Sequence, residues 1–142
     1  MKKLLSILSL AILISSCWET KERISFDKVT IVDDVCYLKA DMSIVTGIVT
    51  EAYSDGQLRY ENNYKDGKRD GLSKTWYQNG QLNEEFNYKD SKPDGLAKRW
   101  FEDGQLESEF NYKYGQEDGL AKRWHSNGQT KDDLNYKDGK LD

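Results

Sequence analysis

His125 is the only histidine of the chain, and Cys17 and Cys36 are its only thiols. A histidine next to a cysteine or serine could run nucleophilic catalysis, provided the fold joins them in a pocket that excludes water. The setting of His125 argues against that. Counting back 24 positions at a time gives Phe101, Tyr77 and Tyr53, so the histidine fills a slot that otherwise takes an aromatic ring. The carboxylates behave in the same way. Glu85, Glu109 and Asp133 also stand 24 apart, and Asp66 and Asp70 flank a turn. Paired acids can act as general acid and base, but a residue type that returns in every unit marks a position in a sheet. Calcium would need roughly six to eight oxygens gathered within a few residues. Here Lys, Gly and Asn separate the acids, and the capping of turns accounts for Asp and Asn. Cys36, between Val35 and Tyr37, reads as a buried strand residue. The expectation is a chain with no catalytic residues, no metal and no cofactor.

What positions these side chains is a fixed period. DGLAKRW occurs at 94–100 and again at 118–124. Gly47, Gly71, Gly95 and Gly119 lie 24 apart, and each is followed nine residues later by Gly56, Gly80, Gly104 or Gly128. Trp76, Trp100 and Trp124 share a slot that Ala52 takes in the first copy, and Tyr64, Tyr88, Tyr112 and Tyr136 each follow an Asn. A period of this length is the signature of a repeat array. About three Gly per 24 residues would weaken a helix. Short aromatic runs on either side of Asp103-Gly104 read instead as a β-hairpin. A three-residue loop, Glu102-Asp103-Gly104, pairs Trp100 with Leu106. It places Leu96, Trp100, Leu106, Phe110 and Tyr112 on one face, and Arg99, Glu107, Glu109 and Asn111 on the other. Lys74 opposite Glu84 and Lys122 opposite Asp132 are then expected as cross-strand ion pairs of ~0.2–1 kcal/mol each. The fold class is all-β: an elongated, single-layer antiparallel sheet of tandem 24-residue β-hairpins.

The second connection of each unit carries a family resemblance. NYKDGKRDG (63–71), NYKDSKPDG (87–95), NYKYGQEDG (111–119) and NYKDGKLD (135–142) resemble the MORN repeat: an aromatic, a short turn with Gly, basic residues and a closing Gly. Units such as GLSKTWYQNGQLNEEFNYKDSK (71–92) look closest to the variant MORN repeats of bacterial proteins, which include a group described as antitoxin-like. The resemblance covers about 45–142, with a degenerate unit at 29–46. Ser91 in place of Gly, Tyr114 in place of Asp and Ala52 in place of Trp depart from the pattern.

The N-terminus differs from all that follows. Lys2 and Lys3 precede an apolar run from Leu4 to Ile14 that is too short to span a ~30 Å hydrocarbon core. It reads as a signal peptide over 1–16. Ile14-Ser15-Ser16-Cys17 resembles the lipobox of bacterial lipoproteins, which implies a lipid on Cys17 and a location at the bacterial cell envelope. Removing 1–16 takes Lys2 and Lys3 and no acid from a chain of 21 basic and 25 acidic residues, leaving a net charge of −6. Such a balance offers no basic stripe for nucleic acid. Residues 17–27 are expected to be a tether, 28–46 a hairpin capping the open edge, and 47–70, 71–94, 95–118 and 119–142 four repeats.

Trp76, Trp100 and Trp124 are expected to form the core column of the array, with Phe86 and Phe110 beside them. Tyr53, Tyr77, Phe101 and His125 form a sparser column on the other face and are the candidate binding surface. A lipid-anchored scaffold that binds a protein or peptide is the first expectation. The alternative is a glycan or cell-wall binder whose rings stack on sugars. An antitoxin-like role rests on family resemblance alone.

Overall fold

The structure, a computed structural model, describes residues 21–142. The expected signal peptide, and Cys17 as the expected site of a lipid, therefore lie outside the described residues. The strands are β1 (Arg23–Ser25), β2 (Val29–Val32), β3 (Val35–Leu38), β4 (Gly47–Ala52), β5 (Leu58–Lys65), β6 (Lys68–Trp76) and β7 (Leu82–Lys89), followed by β8 (Lys92–Pro93), β9 (Gly95–Trp100), β10 (Leu106–Lys113), β11 (Gln116–Trp124), β12 (Thr130–Lys137) and β13 (Lys140–Leu141). From β4 to β13 they form one elongated antiparallel sheet in chain order, with β8 a short extra partner of β7.

Two turn types alternate, and each follows from its residues. Trp100 pairs with Leu106 across the Glu102-Asp103-Gly104 loop, as the loop length requires. Asp103 Oδ1 accepts the Gln105 N–H at 2.9 Å, and Asp55, Asn79 and Asn127 cap their own loops in the same way. The other connection is a two-residue turn with both residues left-handed, as at Asp66-Gly67 (φ +50°, +77°). This conformation matches the twist of the flanking strands. Asp90-Ser91 and Tyr114-Gly115 adopt it too, so the two departures from the repeat pattern leave the turn unchanged. The turns are stacked: Gly67, Ser91, Gly115 and Gly139 each donate an N–H to a carbonyl of the preceding unit (Val45, Arg69, Pro93 and Glu117), at 2.8–2.9 Å. Lys137 and the Asp138 N–H both donate to Asp118 Oδ2, and these bonds hold the Asp118 carboxyl below the usual carboxylate range.

The assignment of faces needs correction. Leu106 pairs with Trp100, but Ser108 pairs with Arg99, so Glu107 is an extra residue. Arg59, Asn83 and Lys131 are extra in the same place in the other units. One bulged residue moves everything beyond it to the opposite face. Phe110 therefore sits opposite Ala97, and Tyr112 opposite Gly95. Leu96, Lys98 and Trp100 lie on the other side by strand alternation. The expected ion pairs shift with the register. Lys74 meets Glu85 (3.0 Å), not Glu84, and Lys122 meets Asp133 (3.3 Å), not Asp132. Glu84 and Asp132 pair instead with Arg99 and Arg123, at 2.6 and 3.6 Å.

The N-terminal end departs in two ways. Arg23–Ser25, expected within a tether, form a strand that pairs in parallel with β4 and buries Ile24 against Val49. The open edge is thus covered by β1. The β2–β3 hairpin, turning at Asp33-Asp34, lies over one face instead of along that edge. Its Val29 and Cys36 close on Val45, Val49, Tyr60 and Tyr64, and the Phe26 ring meets Tyr60 edge-on at 5.5 Å. This is the densest core among the described residues. Burial pushes the Cys36 thiol and the Tyr60 and Tyr64 hydroxyls to higher pKa.

Candidate functional site

The bulges give the array two chemically distinct faces. On one, small residues form the floor: Ser73, Ala97 and Ala121 are 5%, 2% and 3% exposed. An aromatic ring stands directly across from each of them, Phe86 from Ser73 and Phe110 from both Ala97 and Ala121. Phe86 lies 6.1 Å from both Tyr88 and Tyr112, and Phe110 lies 6.3 Å from Tyr112, all at tilted angles. The rings thus run on from one unit to the next. Cations sit on this row, with Arg69 4.2 Å above the Tyr88 ring and Arg123 5.2 Å above Phe110. Each such contact adds ~0.5–1 kcal/mol where it is exposed. Tyr112 is half-buried, and burial first, then the charge of Glu117 and a hydrogen bond to it, raises its pKa. Shallow depressions of about 150 and 160 Å³ lie among these side chains.

Ser73 is the flaw in the floor. Its hydroxyl is buried and makes no hydrogen bond, while the same slot holds Ala97 and Ala121 in the next units. A buried hydroxyl without a partner costs ~1–3 kcal/mol. Ser73→Ala is therefore expected to raise stability by about 1 kcal/mol. The check is a higher urea midpoint at unchanged slope, and an unchanged or lower midpoint would contradict it.

The opposite face is a charged ladder. Lys74–Glu85, Lys98–Glu109 (2.8 Å) and Lys122–Asp133 repeat along it, with Leu96 and Leu120 exposed among them. Trp76, Trp100 and Trp124 fall on this side by alternation. All three are half-buried, and none is among the fully buried residues.

Tyr53, Tyr77, Phe101 and His125 head successive loops. Tyr53 donates its hydroxyl to the Trp76 carbonyl at 2.7 Å, and Tyr77 to the Trp100 carbonyl at 2.8 Å. Their polar tips staple one unit to the next. Phe101 has no hydroxyl to continue the series, and His125 is exposed at the last loop. Phe101→Tyr should therefore add a third rung, to the Trp124 carbonyl, worth ~0.5–1.5 kcal/mol. A thermal melt that does not rise would count against this staple.

The structure brings Phe86, Tyr88, Phe110, Tyr112, Arg69 and Arg99 together on one face, a set that does not coincide with the column expected from the sequence. The signal that marks them was present. A Lys and a carboxylate 11 residues apart recur as Lys74/Glu85, Lys98/Glu109 and Lys122/Asp133, and pairing these sets the register beyond the bulge. Among the described residues no group of three His, Cys, Asp or Glu side chains could hold a metal. The recurrent tyrosines, acids and lysines instead cap turns, staple units and pair across strands.

Residues 45–66, 69–90, 93–114 and 117–138 each match the MORN repeat variant. The chain belongs to that family. No curated protein and no solved structure matches it. Each matched MORN unit begins two residues before the glycine that opens a 24-residue period, and together the units cover the sheet from β4 to β12. The MORN array is a non-catalytic scaffold whose repeated polar groups hold it together.

Proposed function

We propose that this MORN array binds a protein or peptide on its aromatic face, at the bacterial cell envelope, held there by a lipid on Cys17. The supporting observation is the unbroken row of Phe86, Tyr88, Phe110 and Tyr112, half-buried and topped by arginines. Rings and guanidinium groups in a shallow, partly desolvated setting are the residue types that dominate protein interfaces. The lipobox and the net negative charge direct the proposal to the envelope and away from nucleic acid.

A photo-crosslinking amino acid placed at Tyr112, and separately at Lys98 on the charged face, tests the reading in cells. A protein adduct from position 112 and none from 98 is expected. Adducts from 98 alone would move the site to the charged face. Carbohydrate adducts from 112 would favour the glycan reading, and no adduct from either position would overturn the scaffold reading.

A further inference from the structure

We propose that the partner docks through a proline-rich segment in the left-handed polyproline II conformation, laid across the strands of the aromatic face with every third residue seated in one repeat. This rests on the reading of that face as the binding face.

The two depressions on the face are one site repeated. Ser73, Phe86 and Tyr88 line the depression of about 150 Å³, and Ala97, Phe110 and Tyr112, each 24 residues on, line that of about 160 Å³. Phe86 belongs to both, so a ring divides one depression from the next. In the unit before them the floor slot is Val49, which Val29 and Cys36 of the β2–β3 hairpin already cover. In the unit after them the same slots hold Ala121, Leu134 and Tyr136.

This spacing selects the conformation of the ligand. A unit is two strands wide, about 10 Å at ~4.8 Å per strand. A polyproline II segment turns once in three residues of ~3.1 Å each, so one of its edges presents a side chain every ~9.3 Å and stays in step with the units. A β-strand presents one at every second residue, ~6.7 Å apart, and its next side chain would land on the dividing ring. An α-helix presents side chains three and four residues on, ~4.5–6 Å away, and would strike the same ring.

The chemistry agrees with the spacing. Aromatic-lined grooves take proline-rich segments because the extended helix is already formed before binding. The backbone of such a segment makes no internal hydrogen bonds, so its carbonyls need donors from the solvent or from the partner. Arg99 and Arg123 offer them at the same position in successive units. Arg99 lines the second depression, and Glu84 engages only its Nε (2.9 Å) and Nη2 (2.6 Å). Arg123 lies 5.2 Å above the Phe110 ring.

The probe is a capped nonaproline, titrated into the isotope-labelled full chain and followed by amide shifts, beside the same nonamer with a D-proline at its centre. Saturable shifts at Ser73, Phe86, Ala97, Phe110 and Tyr112 are expected with nonaproline. The D-residue fixes φ at the opposite sign and breaks the left-handed run, so it should weaken binding by about tenfold. Phe110→Leu should also cost about tenfold and Arg123→Gln about threefold, while Leu120→Ser on the charged face should change nothing. No shift at millimolar nonaproline would overturn the proposal. So would equal affinity for the two nonamers, which needs no variant to fold, or shifts confined to Leu96, Lys98 and Leu120. A chitin oligosaccharide that moves the aromatic-face amides where nonaproline does not would make the occupant a glycan. If protein crosslinks at position 112 persist while nonaproline fails, the aromatic face still binds a protein but the polyproline mode is wrong.

Discussion

Gly67→Val is expected to lower stability by at least about 3 kcal/mol, with two separable causes. The backbone at Gly67 is left-handed (φ +77°), where an L side chain costs ~1–2 kcal/mol and a β-branched one more. Space is the second cause. A Cβ at this position would overlap Val35 Cγ1 and come within 3.2 Å of the Cys36 carbonyl oxygen, so β3 would have to lift off the first repeat. Overpacking of this kind typically adds ~1–3 kcal/mol. Gly139 is the internal control. It has nearly the same φ (+76°), but its Cβ would meet only Gln116 side-chain atoms, none nearer than 3.7 Å. Gly139→Val should cost the backbone part alone. Urea unfolding of both variants measures the difference, and equal losses would mean that β3 does not clasp the turn.

Val49→Asp should be the more damaging change, at ~3–5 kcal/mol, because it places an unpaired carboxylate in the densest core. Val49 is 1% exposed and is packed among Ile24, Val29, Cys36 and Val45. A loss of that size approaches the whole stability of a small domain. In a repeat array, however, each unit contacts only its neighbours, so damage at one end need not melt the other. Amide protection should disappear from β1 to β5 and persist from β10 to β12. Loss of protection along the whole sheet would show that the array is one cooperative block.

Much of this fold was legible because the period, the Asp-Gly pairs and the loop length each carry a direct backbone constraint. Gly104 needs a left-handed φ, and a three-residue loop that ends on it fixes Trp100 against Leu106. The register beyond that pair was misread, since Glu107 in a bulge looks like any polar strand residue. The bulge reverses the faces, and with them the membership of the aromatic row and the partners of Lys74 and Lys122. β1 escaped notice for a different reason. Three residues, Arg23–Ser25, are too few to show alternation, and the strand exists only because β4 offers an edge and Val49 a place for Ile24. Tyr53 and Tyr77 were recognised as a column, but no pattern of residue types reveals that a hydroxyl reaches a carbonyl 23 positions ahead.

The stacked turn bonds bear on how such a chain changes its length. Every backbone link between successive turns spans 22 residues, as from Gly67 to Val45 or from Gly139 to Glu117. Inserting or removing one whole 24-residue unit would leave each remaining link with an equivalent partner. Two strands at ~4.8 Å each make a unit about 10 Å wide, so duplication would lengthen the protein in fixed steps without redesign of any contact. The identical DGLAKRW segments at 94–100 and 118–124 are what a copying event of that kind leaves behind, and the distance the array can reach becomes a matter of counting units.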